Sequence, residues 1–260
     1  MRGLSLYSVI PVRTEAREGA EQSTQILFGE TFDVLEQIPR WNRVKLHTDG
    51  QEGWVDAKMV TPMTDKEYTA YSKGLRTAAL VAFPMAYAVS ENNGQTLPLT
   101  AGTRLAGYQN GRFEVLGVGF RIDPNMVISE PRELNEQNLL QTVRFFINVP
   151  YLWGGKNALG MDCSGFTQVI MSLFGKSLLR NASEQATQGR AISDLKKVQA
   201  GDLVFFDHED GRISHVGIAI DSERVIHCSG RVKVEKLDAN GIFSTEQNGY
   251  THHLAAIRRV

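Results

Sequence analysis

The chain has 260 residues, enough for two or three domains, and its 42% apolar and 22% charged content is that of an ordinary globular protein. A net charge of -1 and a pI near 6.6 give no basis for a nucleic-acid partner or an anionic membrane surface. No apolar run reaches the ~18 residues of a membrane-spanning helix. Two cysteines, Cys163 and Cys228, cannot form a disulfide framework; they read as two buried thiols or one disulfide.

Met1 to Ile10 enters strand-like sequence at once, without the charged segment and apolar core of a leader. A cytoplasmic location fits, and so does a periplasmic or cell-envelope one reached through a removed leader. Residues 1–63 read as short strands. Ile26 to Glu30 leads into Thr31 to Leu35, Trp41 to Leu46 alternates cleanly, Asp49-Gly50 marks a hairpin turn and Pro62 closes the unit. Strands at this spacing predict a small barrel. Residues 64–74 are polar and read as a short helical linker. Residues 75–130 repeat the all-β style, with turns at Asn93-Gly94 and Asn110-Gly111. The phrase Pro98 to Leu105 parallels Phe28 to Phe32, which suggests a second, divergent copy of the first barrel.

The style changes in residues 131–260. Leu139, Leu140, Val143, Phe146 and Ile147 share one helical face, and Pro150 stops that helix. A second helix is expected over residues 163–174, and Ser183 is placed to cap a short third one carrying Gln185. Strands then follow at Leu203–Phe206, His215–Ile220, Val225–Cys228, Val232–Val234 and Ala255–Val260. Helices followed by strands predict an α+β domain with an antiparallel sheet.

The chemistry is concentrated in this last segment. Cys163 stands where a Gly-rich stretch turns into an apolar helix. Unsatisfied N–H groups and the dipole of a helix start are expected to lower a thiol's pKa, and the same groups can hold an oxyanion. Gly165 is expected to permit close substrate approach. Asp162 caps the helix or binds substrate; both readings stay open. A hairpin turning near Asp221 puts His215 and His227 opposite or diagonal on one sheet face, and directly opposite Cβ atoms are ~5 Å apart. His215 then reads as general base and His227 as the group that fixes its tautomer. Taken singly, each His is more simply a satisfied half-buried residue; together with Cys163 they read as a nucleophilic set. A Zn site of Cys163, His215, His227 and Cys228 is the weaker alternative, since no CxxC or HxxxH spacing is present. His208, His252 and His253 read as loop or edge residues.

Five phrases in order carry a resemblance. Pro150 to Gly155, Asp162 to Phe166, Ala200 to Phe206, His215 to Ile218 and Val225 to Gly230 resemble the NlpC-type cysteine peptidases, which cleave bacterial cell-wall peptides. The resemblance implies a papain-like core with Cys163, His215 and His227 as catalytic residues, and Tyr151 lending its hydroxyl to the oxyanion hole. It implies substrate-binding positions at Trp153, Asp162, Ser164, Asn181 and Ala182, and no metal or organic cofactor. Residues 1–63 and 75–130 look like the bacterial SH3-like modules that accompany this domain, with Glu30 a candidate for reaching substrate, although a turn carboxylate is its simpler role. The layout is similar to γ-D-glutamyl-L-diamino acid endopeptidases of murein peptide recycling. Their substrate is L-Ala-γ-D-Glu-diamino acid with a free N-terminal L-Ala. Asn181 departs from the family's Asp and brings no charge to that ammonium. Two other readings compete: a peptidoglycan-binding protein with a relic catalytic domain, and an amidase or acyltransferase on the same fold.

Overall fold

The computed structural model describes residues 1–207 and 211–260, and the chain divides into two compact units, Met1–Pro131 and Arg132–Val260. His208 lies outside the described residues.

In the N-terminal unit, seven strands form one antiparallel sheet in the order Gln22–Leu27, Val9–Arg13, Glu52–Asp56, Trp41–Leu46, Thr31–Ile38, Arg2–Leu4, Thr61–Met63. Ile10, Val12, Ile26, Phe32, Val34, Val44, Leu46 and Val55 fill its core. The alternation in Trp41–Leu46 is a real face assignment: Val44 and Leu46 point inward while Arg43 and Lys45 are exposed. The expected linker is a helix, Asp65–Leu75. It starts at a capping box in which Thr64 and Glu67 satisfy each other's backbone N–H groups. It is packed rather than free, because Tyr71 is buried and donates to the Gly29 carbonyl at 2.9 Å.

The remaining strands of this unit form a four-stranded sheet over Met85–Ile122 and a three-stranded one of Arg104–Leu105, Ala79–Val81 and Val127–Ile128. Asn110 and Gly111 both have positive φ between the paired residues Gln109 and Arg112, a tight turn that Asn-Gly tolerates best. Phe28, in the turn after the strand Gln22–Leu27, sits edge-on to Phe113 and Phe120 at 6.2 and 5.8 Å. The two strand groups therefore share a core, where the sequence suggested two units with separate cores.

In the C-terminal unit, helix α1 (Glu136–Val143) is capped by Asn135. Leu139, Val143 and Phe146 are buried, whereas Leu140 and Ile147, expected on the same face, are exposed: Leu140 lies on the outer side of the helix, and Ile147 lies beyond its end at Val143. Helix α2 spans Cys163–Ser172 and α3 spans Ala182–Gln185. The residue before α3 is Asn181, so Ser183 lies inside the helix instead of capping it. Among the described residues a two-residue strand, Arg190–Ala191, is followed by six longer ones: β1 (Leu203–Asp207), β2 (Ile213–Ala219), β3 (Arg224–Ser229), β4 (Arg231–Asp238), β5 (Gly241–Ser244) and β6 (Gly249–Arg259). Neighbours pair antiparallel in sequence order, β6 pairs with both β5 and β1, and the sheet closes on itself. Val204, Phe206, Ala219, Val225, Leu237, Ile242 and Ile257 form its core. Asp202 pins the start of β1 to the end of β6: its carboxylate accepts from Arg259 Nε at 2.6 Å and Nη2 at 2.7 Å. The last strand begins six residues earlier than expected. His252 and His253 are therefore strand residues.

Candidate active site

Cys163 is the first residue of α2 and is 7% exposed. The residue before it organises the helix start. Asp162 Oδ1 accepts from Gly165 N at 2.6 Å, Ser164 Oγ at 3.2 Å and Arg180 Nη1 at 3.1 Å. Its Oδ2 accepts from Gly154 N at 2.9 Å and Arg180 Nη2 at 2.6 Å. Arg180 is itself buried and also donates to Ser164 Oγ at 2.8 Å. Asp162 takes the cap role, one of the two readings left open for it, and its carboxylate accepts all five of these bonds. Ser164, expected on substrate, is likewise turned into this network. Gly165 serves close packing rather than substrate approach. A Cβ there would stand 2.1 Å from the Gly155 carbonyl oxygen.

The two histidines pair diagonally. Gly217 lies opposite His227, which puts His215 one pair away on the same face of the β2–β3 hairpin. His215 Nε2 and His227 Nδ1 are 2.8 Å apart, and His227 Nε2 is 2.9 Å from Glu235 Oε2 on β4. Lys233 Nζ stands 3.1 Å from the same carboxylate oxygen. This chain determines the tautomers. The ionised carboxylate can only accept, so His227 carries its proton on Nε2. Its bare Nδ1 then accepts from His215 Nε2–H, which leaves the His215 Nδ1 lone pair for a reacting proton.

The electrostatics fit that assignment. Burial, reinforced by His227, His252 and Lys233, holds the His215 pKa well below the ordinary imidazole value. Burial also lowers that of His227, against the pull of Glu235. Both rings are neutral in the resting protein. Glu235 resists its own burial through hydrogen bonds, led by that from His227, and is brought down to about 2. The thiol departs from expectation. Burial, with Asp162 beside it, raises Cys163 to about 11, and the N–H groups of Val216 and Ser164 offset this only in part. A helix start does not by itself make this cysteine a thiolate; a neutral base is needed to take its proton.

Tyr151 is half-buried, and burial followed by the proximity of Cys163 raises its phenol pKa. Cys228 is a free buried thiol whose Sγ donates to the Met161 carbonyl at 3.1 Å. Trp153 is 59% exposed, and Ala182 is buried. Asn181 is exposed, and its backbone N and Nδ2 both donate to Glu184 Oε2 at 3.0 Å. Glu30 belongs to the other unit, where it is a buried turn carboxylate, not an exposed one, accepting from Leu27 N at 2.9 Å.

Sequence reasoning passed over Glu235 and Arg180, and read His252, which lies against His215, as a loop or edge residue. Folding β3 and β4 about Gly230 puts Lys233 opposite His227 and Glu235 diagonal to it. That signal was available for Glu235. Arg180 directly precedes Asn181, but its burial depends on the fold.

The model of the NlpC/P60 family matches residues 148–258, and that of the bacterial dipeptidyl-peptidase Sh3 domain matches residues 12–59. The chain is 29% identical over 245 residues to a gamma-D-glutamyl-L-lysine dipeptidyl-peptidase of Bacillus subtilis, covering 91% of this chain and 80% of that one. A protein of the same name from Bacillus cereus is 29% identical over 230 residues, covering 78% of this chain and 66% of that one. The crystal structure of an NlpC/P60 family protein from Bacillus cereus shares the fold, with a TM-score of 0.82 at 22% identity over 100% of this chain and 99% of that one. The chain is thus a cysteine peptidase, with an NlpC/P60 domain preceded by a bacterial dipeptidyl-peptidase Sh3 domain.

Proposed function

We propose that this chain is an endopeptidase acting on short peptidoglycan-derived peptides, L-Ala-γ-D-Glu followed by meso-diaminopimelate or Lys, and that it cuts the bond after D-Glu. The observation that carries the catalytic reading is the chain from His215 through His227 to Glu235, which leaves one imidazole nitrogen free for the Cys163 proton. The substrate reading is supported by two relatives named for γ-D-glutamyl-L-lysine cleavage, one of them similar along most of this chain.

In this reading Cys163 Sγ attacks the γ-carbonyl of D-Glu as its proton passes to His215 Nδ1. The tetrahedral oxyanion is held by backbone N–H groups at the start of α2 and by the Tyr151 hydroxyl. His215 returns the proton to the departing amine of the diamino acid, which leaves an acyl-enzyme thioester. Water then gives a proton to His215, attacks the thioester, and releases L-Ala-D-Glu with the thiol restored. The ammonium of L-Ala meets the Asn181 region, where Glu184 supplies the carboxylate that Asn181 lacks. A papain-like arrangement of helix-borne thiol and strand-borne imidazole, and the descent of residues 75–130 from a second SH3-like module, belong to the same reading.

The test is a mass-spectrometric digest of free L-Ala-γ-D-Glu-meso-diaminopimelate beside the same peptide carrying N-acetylmuramic acid on L-Ala. Release of L-Ala-D-Glu from the free peptide alone is the expected result. Cleavage of both would overturn the requirement for a free amine, and cleavage of neither would overturn the substrate class.

A further inference from the structure

By ring centroid, the imidazole nearest His215 is not its hydrogen-bond partner His227. His252 on β6 lies with its ring centroid 4.2 Å from that of His215 and its plane tilted by only 31°, against 5.1 Å and 86° for His227. Phe206 flanks both His215 and His252 at 5.9 Å, and His252 is 5.7 Å from His227. Three imidazoles thus converge on one aromatic wall.

The backbone around His252 is irregular on both sides. Against β5 the register jumps between the pairs Ile242–His252 and Phe243–Tyr250, which leaves Thr251 unopposed. Against β1 it jumps between Phe206–Leu254 and Phe205–Ala256, which leaves Ala255 unopposed. An extra residue in a strand re-aims the side chains beside it, and such bulges recur next to active sites. Thr251 Oγ1 also meets His252 Nδ1 at 2.9 Å, so the residue that makes the first bulge orients the ring.

We propose that His252 is a positioning residue that acts through the proposed base: it stacks on His215 and keeps that imidazole uncharged and ready to accept the Cys163 proton. The inference rests on the reading of His215 as base. Two imidazoles in van der Waals contact titrate as a coupled set, in which a proton on one opposes a proton on the other. His252 is half-buried while His215 and His227 are buried, so His252 is the ring of the three most open to water. The other charged groups that act on His215 are His227 from β3 and Lys233 from β4; the uncharged Phe206 from β1 flanks it, and Cys163 from α2 lies against the N–H of Val216, its neighbour on β2. The buried residues of α3 are Ala182 and Gln185. Burial and His227 lower the His215 pKa, and His252 acts in the same sense.

The experiment compares the pH dependence of kcat/KM for the full-length protein with that of His252→Phe, using the free tripeptide. Phe keeps an aromatic ring on His215 and removes the competing proton. A displacement of the acid limb to higher pH by about half a unit is expected, which is about a threefold loss of rate on that limb. The position of the limb is the readout, whatever the height of the plateau, because a purely structural role lowers the plateau and leaves the limb in place. A limb that coincides with the wild type overturns the proposal. His252→Gln takes the place of the Phe variant if that protein does not fold. NMR titration of the His215 ring carbon in the same proteins gives a second readout that needs no turnover. A wild type that leaves the tripeptide uncut would refute the function while this titration still decides the coupling.

Discussion

At the residue scale the site is a problem of proton placement. Burial puts Cys163 at about 11, a thiol and not a thiolate near neutrality, so the proposed mechanism requires a neutral His215 to take its proton. Cys163→Ala is expected to reduce turnover of the tripeptide to background with an unchanged circular-dichroism spectrum; residual turnover at the wild-type rate would remove Cys163 from the mechanism. Glu235→Ala leaves the His227 tautomer undetermined. A fall in kcat of about 10- to 100-fold is expected, with a smaller change in KM, since a group that fixes a tautomer acts on the chemical step. The same residues set an acid limit on the fold. With native pKa values below the ordinary one, His215 and His227 bind fewer protons than they would in the unfolded chain. Their contribution to stability is full above about pH 6.5 and is lost as pH falls below it, until the native rings themselves protonate. Glu235 acts in the same sense at lower pH, contributing fully above about pH 4.3 and losing its contribution as pH falls through about 2. Urea midpoints taken from pH 8 down to pH 5 are expected to fall; for His215→Phe paired with His227→Phe they should fall less steeply.

At the scale of single elements, the start of α2 depends on a buried ion pair. Asp162 caps the helix and neutralises Arg180, whose guanidinium is almost fully buried. Asp162→Ala removes the cap and strands that charge, and a loss of about 3–5 kcal/mol is expected in denaturant unfolding. A loss below about 1 kcal/mol would mean that Arg180 finds another partner or water. The helix start, its cap and its apolar run were legible in Asp162 to Phe166, because N-capping is a local matter of side chain and backbone. The early end of α1, with Ile147 left beyond it, was not. There the apolar period continues past the last helical residue, and only packing decides where the chain turns.

For whole units the deciding feature is closure. β6 pairs with both β5 and β1, and this closure brings His252 from the last strand onto His215 from the second. In the N-terminal unit, Phe28 joins two sheets through edge-on contacts with Phe113 and Phe120. Phe28→Ala is expected to cost about 3–5 kcal/mol, measured as a shift of the unfolding midpoint of that unit. A cost near 1 kcal/mol would mean that the two strand groups do not stabilise each other through this ring.

What the sequence by itself determined were local and short-range relations: the capped helix that begins at Cys163, the strand alternation in Trp41–Leu46, the Asn110-Gly111 turn and the hairpin that pairs His215 with His227. In each case the partners lie within a few residues or across one turn, where backbone geometry and side-chain period leave few alternatives. Tertiary structure alone decided the burial of Arg180 against Asp162, the shared core around Phe28, and the place of His252 beside the proposed base. Those depend on strands distant in sequence and on two bulges that break the two-residue period. A broken period changes which face a side chain occupies, and no pattern read along one strand can show it.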